Sequence, residues 1–470
     1  MRGRLIAGVM VPVLVVGGGA YIVADAYDKV PGFITAQPEP VAPAPFLAAS
    51  AVTASPAPSS PARNLSADAP VPSASALQQA AEQVRSDERT GESTNVSVLD
   101  ALTGEVLADV SAADTQVPAS STKLLTALSA VADLGADYTM TTAATWDAAS
   151  QTLTLVAGGD MLLAAGEGHY GEGDDANGWA GLADLADAVV ATVGDELTGE
   201  VTLAVDDTAF EAEPLNPEWP AYASQQGYLA PTTGLAVDVA RTTDEHYAQR
   251  WDDPSLAAAD DFAAALRDLG VTVGEPAHAA SPASALEVAS VQGAPLSEVA
   301  FLLLRDSDNT IAEVVSLVHA LETGRPTTPT GAAEATIAGL EGIGAPVDGL
   351  VLLDGAGFSE NNRIAPIHLT GAIVAGLQAP ATEDLLDWLP VGGLEGTVGT
   401  RFEGTTAAGA LRAKTGSLTG VTALAGTVQT ADGRLLAFAI LADGMPYGQA
   451  RPKAAFDEFV NTLAGCGCDG

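Results

Sequence analysis

Strand-like patterning stands at both ends of the globular region, with helical patterning between, and that order restricts the fold more than any other feature. Asn95 to Asp100 alternates apolar and polar residues, Thr103-Gly104 makes a turn, and Glu105 to Asp109 returns as the second arm of a hairpin. Far along the chain, Ala423–Thr430 and Leu435–Leu441 alternate in the same way around an Asp432-Gly433 turn. The strands at the two ends could form one sheet. The expected core is an antiparallel sheet drawn from both ends and flanked by helices from the middle, an α+β fold. Helical patterning marks Leu77–Val84, the run after Ser120, Leu296–Leu304, a segment from Thr310, and a closing helix over Ala450–Ala464.

The rest of the chain divides by texture. Residues 1–26 place Arg2 and Arg4 before an apolar run from Leu5 to Ala24, long enough to cross a bilayer with the N-terminus inside. The alternative is a cleaved signal peptide ending at Ala24-Asp25-Ala26. Either way the remainder is expected to be exported, anchored at the cell membrane or released to the cell wall. Residues 27–76 carry ten prolines among Ala, Ser and Val and read as an extended linker. The main domain is expected over 77–137 and 291–470. The block 138–290 interrupts it with short strand-like runs, Gln151–Val156 and Gly199–Val205, a helix over Leu182–Val190, and acidic Gly-rich loops, and reads as an inserted strand-rich domain.

The formal net charge of −41, from 60 acidic and 19 basic residues, makes nucleic acid and anionic lipid surfaces poor partners. It also makes lysine informative. The chain has four, Lys29, Lys123, Lys414 and Lys453, and two stand in short motifs. Ser120-x-x-Lys123 opens an apolar helical run, so the two side chains share a face and Ser120 sits by the free N–H groups of a helix start. That suits a nucleophile whose acyl intermediate carries an oxyanion, with Lys123 as its base if Lys123 is neutral. Burial and a nearby cation both favour the neutral amine, and Lys414 is the candidate cation. Ser307-x-Asn309 offers a hydroxyl to relay a proton to a leaving amine and an amide to orient substrate. Lys414-Thr415-Gly416-Ser417 reads as an edge strand. There Thr415 and Ser417 would hold a substrate carboxylate, and Gly416 would let its backbone approach.

Other residue types carry less. The five histidines have no metal-ligand spacing, Cys466 and Cys468 are too few for a zinc site, and the acidic loop 166–175 lacks calcium-loop spacing, so no metal or cofactor is expected. His319 reads as a packing or surface residue. Asp354 and Arg363 read as an ion pair shaping a Gly-rich loop, with Arg363 against a substrate's acidic group as the alternative.

Taken together, the motifs resemble the penicillin-recognising active-site serine enzymes. Pro118-Ala-Ser-Ser-Thr-Lys-Leu-Leu-Thr126, Arg305-Asp-Ser-Asp-Asn-Thr-Ile-Ala-Glu313, Leu353-Asp-Gly-Ala-Gly-Phe-Ser359 with Asn362-Arg-Ile-Ala-Pro366, and Lys414-Thr-Gly-Ser-Leu-Thr-Gly-Val421 narrow the resemblance. It is to the D-alanyl-D-alanine carboxypeptidase/endopeptidase family, peptidase S13 or class C low-molecular-mass penicillin-binding proteins. The resemblance implies a penicillin-binding, serine β-lactamase-like transpeptidase fold and an acyl-enzyme at Ser120. It implies peptidoglycan stem peptides as substrates, β-lactams as ligands, and an oxyanion hole from the backbone N–H groups of Ser120 and Ser417. Release of a terminal D-alanine and cleavage of a crosslink share that acylation chemistry, and both remain open. A β-lactamase or esterase of the same fold, or a non-catalytic wall-binding scaffold, are the alternatives.

Overall fold

The computed structural model describes residues 68–91, 93–172, 176–245, 247–445 and 450–467. They belong to the second of two compact units, Arg63–Gly470. The segment read as an anchor or signal, and most of the linker, lie outside the described residues.

The strands from the two ends do form one antiparallel sheet. Its order is Leu411–Leu418, Val421–Gln429, Leu435–Asp443, Ser93–Asp100, Val106–Val110. The closing contact is between Ser93–Asp100 and Leu435–Asp443, in register from Ser93 opposite Asp443 to Asp100 opposite Leu436. Period-two alternation explains how both faces are used. Val96, Val98, Leu424, Val428, Phe438 and Ile440 point to one face, under the helices Ala74–Arg85 and Ala450–Gly465. Ala423, Ala425, Ala437, Ala439 and Leu441 point to the other. The run of alanines there lets the helix Pro366–Gln378 settle close to the sheet, with the helix Thr122–Leu134 packed beyond it. The Thr122–Leu134 helix is buried at every position from Thr122 to Val131, so it is a central helix and not an amphipathic one.

The insertion builds a second core around its own sheet, ordered Leu286–Pro295, Thr139–Asp147, Thr152–Val156, Glu200–Asp206, Thr272–Val273. Thr139–Asp147 and Thr152–Val156 make a hairpin, whereas the later steps are parallel and need crossovers. The helices Leu182–Val193 and Pro254–Asp268 supply them, and both bury into the same core. Two expected boundaries shift. The first helix begins at Ala74, inside the segment read as linker, because Leu77 and its neighbours pack on the sheet. The strand Leu286–Pro295 runs past 290 and continues directly into the helix Leu296–Asp306.

One buried ion pair ties the ends together. Arg434 Nε donates to Asp100 Oδ2 at 2.6 Å, the Arg434 Nη2 is 2.6 Å from the same oxygen, and Nη1 donates to the Ala69 carbonyl at 3.2 Å. Asp100 Oδ1 accepts from the backbone of Leu102 and Thr103 in the first hairpin turn. Breaking a buried pair strands the surviving charge, so Asp100→Ala is expected to lower unfolding free energy by about 3–5 kcal/mol. Thermal or urea unfolding of that variant checks this, and an unchanged midpoint would contradict it.

Candidate active site

Ser120 sits in a tight turn, Ala119–Ser121, that continues into the helix Thr122–Leu134. The turn is held from within and without. Ser121 Oγ donates to the Pro118 carbonyl at 2.7 Å and Thr122 Oγ1 to the Ala119 carbonyl at 2.9 Å. Ala119 has a left-handed φ of 48°, a conformation maintained by its surroundings. Two glycines press on it from outside. A Cβ at Gly357 would collide with the Ala119 carbonyl, and one at Gly416 would lie 2.7 Å from the Pro118 carbonyl. Gly416 is therefore required by the nucleophile turn packed behind the strand.

Lys123 Nζ lies 3.0 Å from Ser120 Oγ, 2.7 Å from Asn309 Oδ1 and 2.6 Å from the Ala356 carbonyl oxygen. Lys414 Nζ donates to Ser307 Oγ at 2.8 Å and to the Thr415 carbonyl at 2.8 Å. Both lysine side chains are fully buried. Burial lowers the Lys123 ammonium to about 8, against the upward pull of Asp354, Asp308 and Glu313. Burial, then the Lys123 charge, pushes Lys414 well below the ordinary lysine range. Burial, in place of the expected Lys414 charge, lowers Lys123, and the like-charge effect falls on Lys414.

All five predicted catalytic side chains thus come together, from three elements. Ser307, with φ 60°, joins the helices Leu296–Asp306 and Asn309–Glu322 in a left-handed residue. Asp308 caps the second of these, accepting from Thr310 and Ile311, and pairs with Arg241 at 3.2 Å. Asn309 differs in role from expectation. Its Oδ1 faces Lys123 and its Nδ2 donates to the Tyr228 carbonyl at 2.7 Å, so it orients the amine before it orients any ligand. Thr415 and Ser417 line the site on the Leu411–Leu418 strand, which is the sheet edge as predicted.

Sequence reasoning gave no role to the groups beneath Lys123. Glu313, one helical turn from Asn309, is buried, and its Oε1 accepts from Ala356 N at 2.7 Å. The carbonyl of that same residue holds Lys123. Burial, then the Asp354 charge, pushes the Glu313 carboxyl well above its usual range. Asp354 accepts from Gly357 N, Ser359 N, Asn362 Nδ2 and Trp219 Nε1 at 2.6–2.9 Å. It fixes the loop that carries Ala356, and the predicted ion pair with Arg363 is replaced by these four donors. Arg363 Nη1 donates instead to the carbonyls of Glu360 and Asn362 and does not line the cavity. The Ala-Glu after the second motif was the available signal for Glu313.

The open space above these groups is a cavity of about 830 Å³, a size suited to a peptide-like ligand. Ser120, Ser307, Asn309, Thr415 and Ser417 line it. Next to Asn309, the rings of Tyr222, Tyr228, Tyr247 and Phe358 touch one another in a cluster. Next to Thr415, Thr397 Oγ1 is 2.9 Å from Thr415 Oγ1, and Arg401 and Lys453 complete the wall. Among the described residues no group of three or more His, Cys, Asp or Glu is placed to hold a metal ion. His319 is buried against Asp133, as a packing residue, and Cys466 is half-buried at the edge of the sheet core; Cys468 lies outside the described residues.

Residues 77–250 and 240–465 match the model of the D-Ala-D-Ala carboxypeptidase 3 (S13) family. Carboxypeptidase DacB of Mycolicibacterium smegmatis is 34% identical over 415 residues, covering 85% of this chain and 86% of that protein. D-alanyl-D-alanine carboxypeptidase of Actinomadura sp. (strain R39) is 28% identical over 464 residues, covering 80% and 81%. The crystal structure of penicillin binding protein 4 from Haemophilus influenzae superposes with a TM-score of 0.67 at 18% identity, over 82% of this chain and 99% of that one, which establishes the shared fold.

The geometry sets a pH dependence. Reactivity of Ser120 toward an activated ester is expected to rise with pH through a one-proton step near pH 8, the value to which burial lowers Lys123. The sign for stability follows from the same depression. The unfolded chain binds the proton more tightly, so stability should also rise with pH from about 8 toward the unfolded lysine value. A flat reactivity profile from neutral to alkaline pH would contradict the assignment of Lys123 as base.

Proposed function

The chain belongs to the D-Ala-D-Ala carboxypeptidase 3 (S13) family, and from that premise we propose that this serine-type hydrolase acts on peptidoglycan stem peptides through an acyl-enzyme at Ser120. One observation carries the reading. A fully buried lysine amine lies 3.0 Å from Ser120 Oγ, hydrogen-bonded to no carboxylate among the described residues, with a second buried lysine electrostatically coupled to it.

The steps follow from the contacts. Ser120 Oγ attacks the carbonyl carbon of the penultimate D-alanine while Lys123 Nζ takes the hydroxyl proton. The backbone N–H groups of Ser120 and Ser417 receive the oxyanion. Collapse breaks the C–N bond, and the leaving amine takes a proton relayed through Ser307 Oγ, which Lys414 holds in place. Thr415 and Ser417 hold the terminal carboxylate through their hydroxyls. Water then attacks the ester by the reverse proton path and frees Ser120. A β-lactam enters the same sequence, and its ring nitrogen stays attached to the acyl group. Asn309 and the Glu313–Ala356 pair keep the Lys123 amine aimed at Ser120.

The exported location is part of the proposal. Residues 1–26 would carry the chain to the membrane, and the proline-rich stretch that follows, up to the start of the body, would hold the body away from it. Among the described residues no helix is long and apolar enough to cross a membrane.

A fluorescent penicillin is expected to label the protein covalently and to leave Ser120→Ala unlabelled. Lys123→Ala should be labelled about 10²–10⁴-fold more slowly, the usual contribution of a general base. Labelling of the Ser120→Ala variant would remove Ser120 as nucleophile. In cell fractionation, the protein should be accessible to protease added outside the cytoplasmic membrane, and full protection would contradict export.

A further inference from the structure

Lys453 is the one lysine of the described body that the mechanism leaves unused. In a chain of −41 net charge with four lysines, three converge on one site: Lys123 and Lys414 beneath the cavity and Lys453 on its wall. Lys453 projects from the helix Ala450–Gly465 beside Arg401. Arg401 is spoken for: its Nη2 lies 2.6 Å from Asp457 Oδ1, and its guanidinium lies over the Phe402 ring, 5.6 Å from the centroid. Lys453 makes no hydrogen bond among the described residues, and burial followed by the Arg401 charge lowers its pKa. Two cations thus share one carboxylate, and the surplus charge faces the cavity.

The position of that surplus identifies what it would meet. The acids on the cavity wall, Asp306 and Asp308, are already paired with Arg305 and Arg241. Thr397 is hydrogen-bonded to Thr415, and it lines the same cavity as Arg401, Lys453 and the hydroxyls proposed to hold the terminal carboxylate. The residue bearing that carboxylate is the leaving group. Beyond the carboxylate already held by Thr415 and Ser417, a departing D-alanine has only a methyl group and offers a second cation nothing. A crosslinked peptide is different: its leaving residue is a diamino acid whose side chain continues into a second stem with a carboxylate of its own.

We propose that Lys453, supported by Arg401, forms an anionic subsite for the leaving half of a crosslinked stem peptide, favouring crosslink cleavage by this protein. The proposal rests on the acyl-enzyme reading above and adds a substrate class to it. A carboxylate bound there would replace the missing partner of Lys453 with a partly desolvated, charge-assisted contact.

The test compares two synthetic crosslinked dimers, identical except that the distal carboxylate of the leaving half is free in one and amidated in the other. Wild-type kcat/KM is expected to favour the free acid by about tenfold, the size of one charged hydrogen bond in a partly buried site. In Lys453→Met the ratio should fall to near one, and Lys453→Arg should restore most of it. Equal rates on the two dimers in the wild type, or a preference unchanged in Lys453→Met, would overturn the proposal. Fluorescent-penicillin labelling of the wild type separates the two levels. A wild type that fails to label overturns the acyl-enzyme reading itself, whereas one that labels without discriminating the dimers overturns this subsite alone.

Discussion

Two lysines buried with no carboxylate of the described residues in hydrogen-bonding reach are the constraint on which the rest of this site depends. Taking one ammonium out of water costs several kcal/mol, and placing a second beside it adds repulsion. Lys123 and Lys414 escape most of that cost by losing protons easily, which is what a base beside Ser120 requires. Each amine holds a serine hydroxyl, Lys123 that of Ser120 and Lys414 that of Ser307, so the working unit is the two amine–hydroxyl pairs. The carboxylates Asp354, Asp308 and Glu313 sit near enough to moderate the effect without neutralising it.

Holding two such groups in place takes rigid surroundings. The Ser120 turn is pinned between the Gly416 strand and the Gly357 loop, each of which has room for the turn only because a Cβ is missing. The loop is pinned in turn by Asp354 and by Trp219 from the insertion. The insertion also supplies Tyr228, whose carbonyl fixes Asn309. Its second core therefore does more than extend the molecule: its loops set the orientation of the base and build one wall of the cavity. The main sheet completes the frame by joining the chain's two ends, with the Asp100–Arg434 pair at the seam.

Much of this was legible in sequence where the signal is local. Alternation placed the hairpins at both ends, Asp432-Gly433 marked a turn, and the three motifs found their elements because each is short and self-contained. What escaped is long-range. Nothing near Glu313 shows that its carboxyl meets Ala356, some forty positions away in the chain (Ala356 N to Glu313 Oε1 is 2.7 Å). Asp354 has Arg363 nearby in sequence, so a pair was the natural expectation, yet four neutral donors from two parts of the chain satisfy it. Gly416 was read from the substrate side because the turn behind it is more than 290 positions upstream. Lys453 looked like one residue of a closing helix until the fold brought it beside Arg401.

Lysine scarcity makes the central claim directly measurable. With lysine labelled at the ε-carbon, a carbon-detected NMR titration of the whole protein reports four resonances, one for each lysine. The account predicts two ε-carbon titrations displaced well below the ordinary lysine midpoint of about 10.4, lost in turn from Lys123→Met and Lys414→Met, with the Lys414 midpoint moving up when Lys123 is removed. If Lys123 and Lys414 both titrate at the ordinary midpoint, and neither responds to loss of the other, the base beside Ser120 is not the one described.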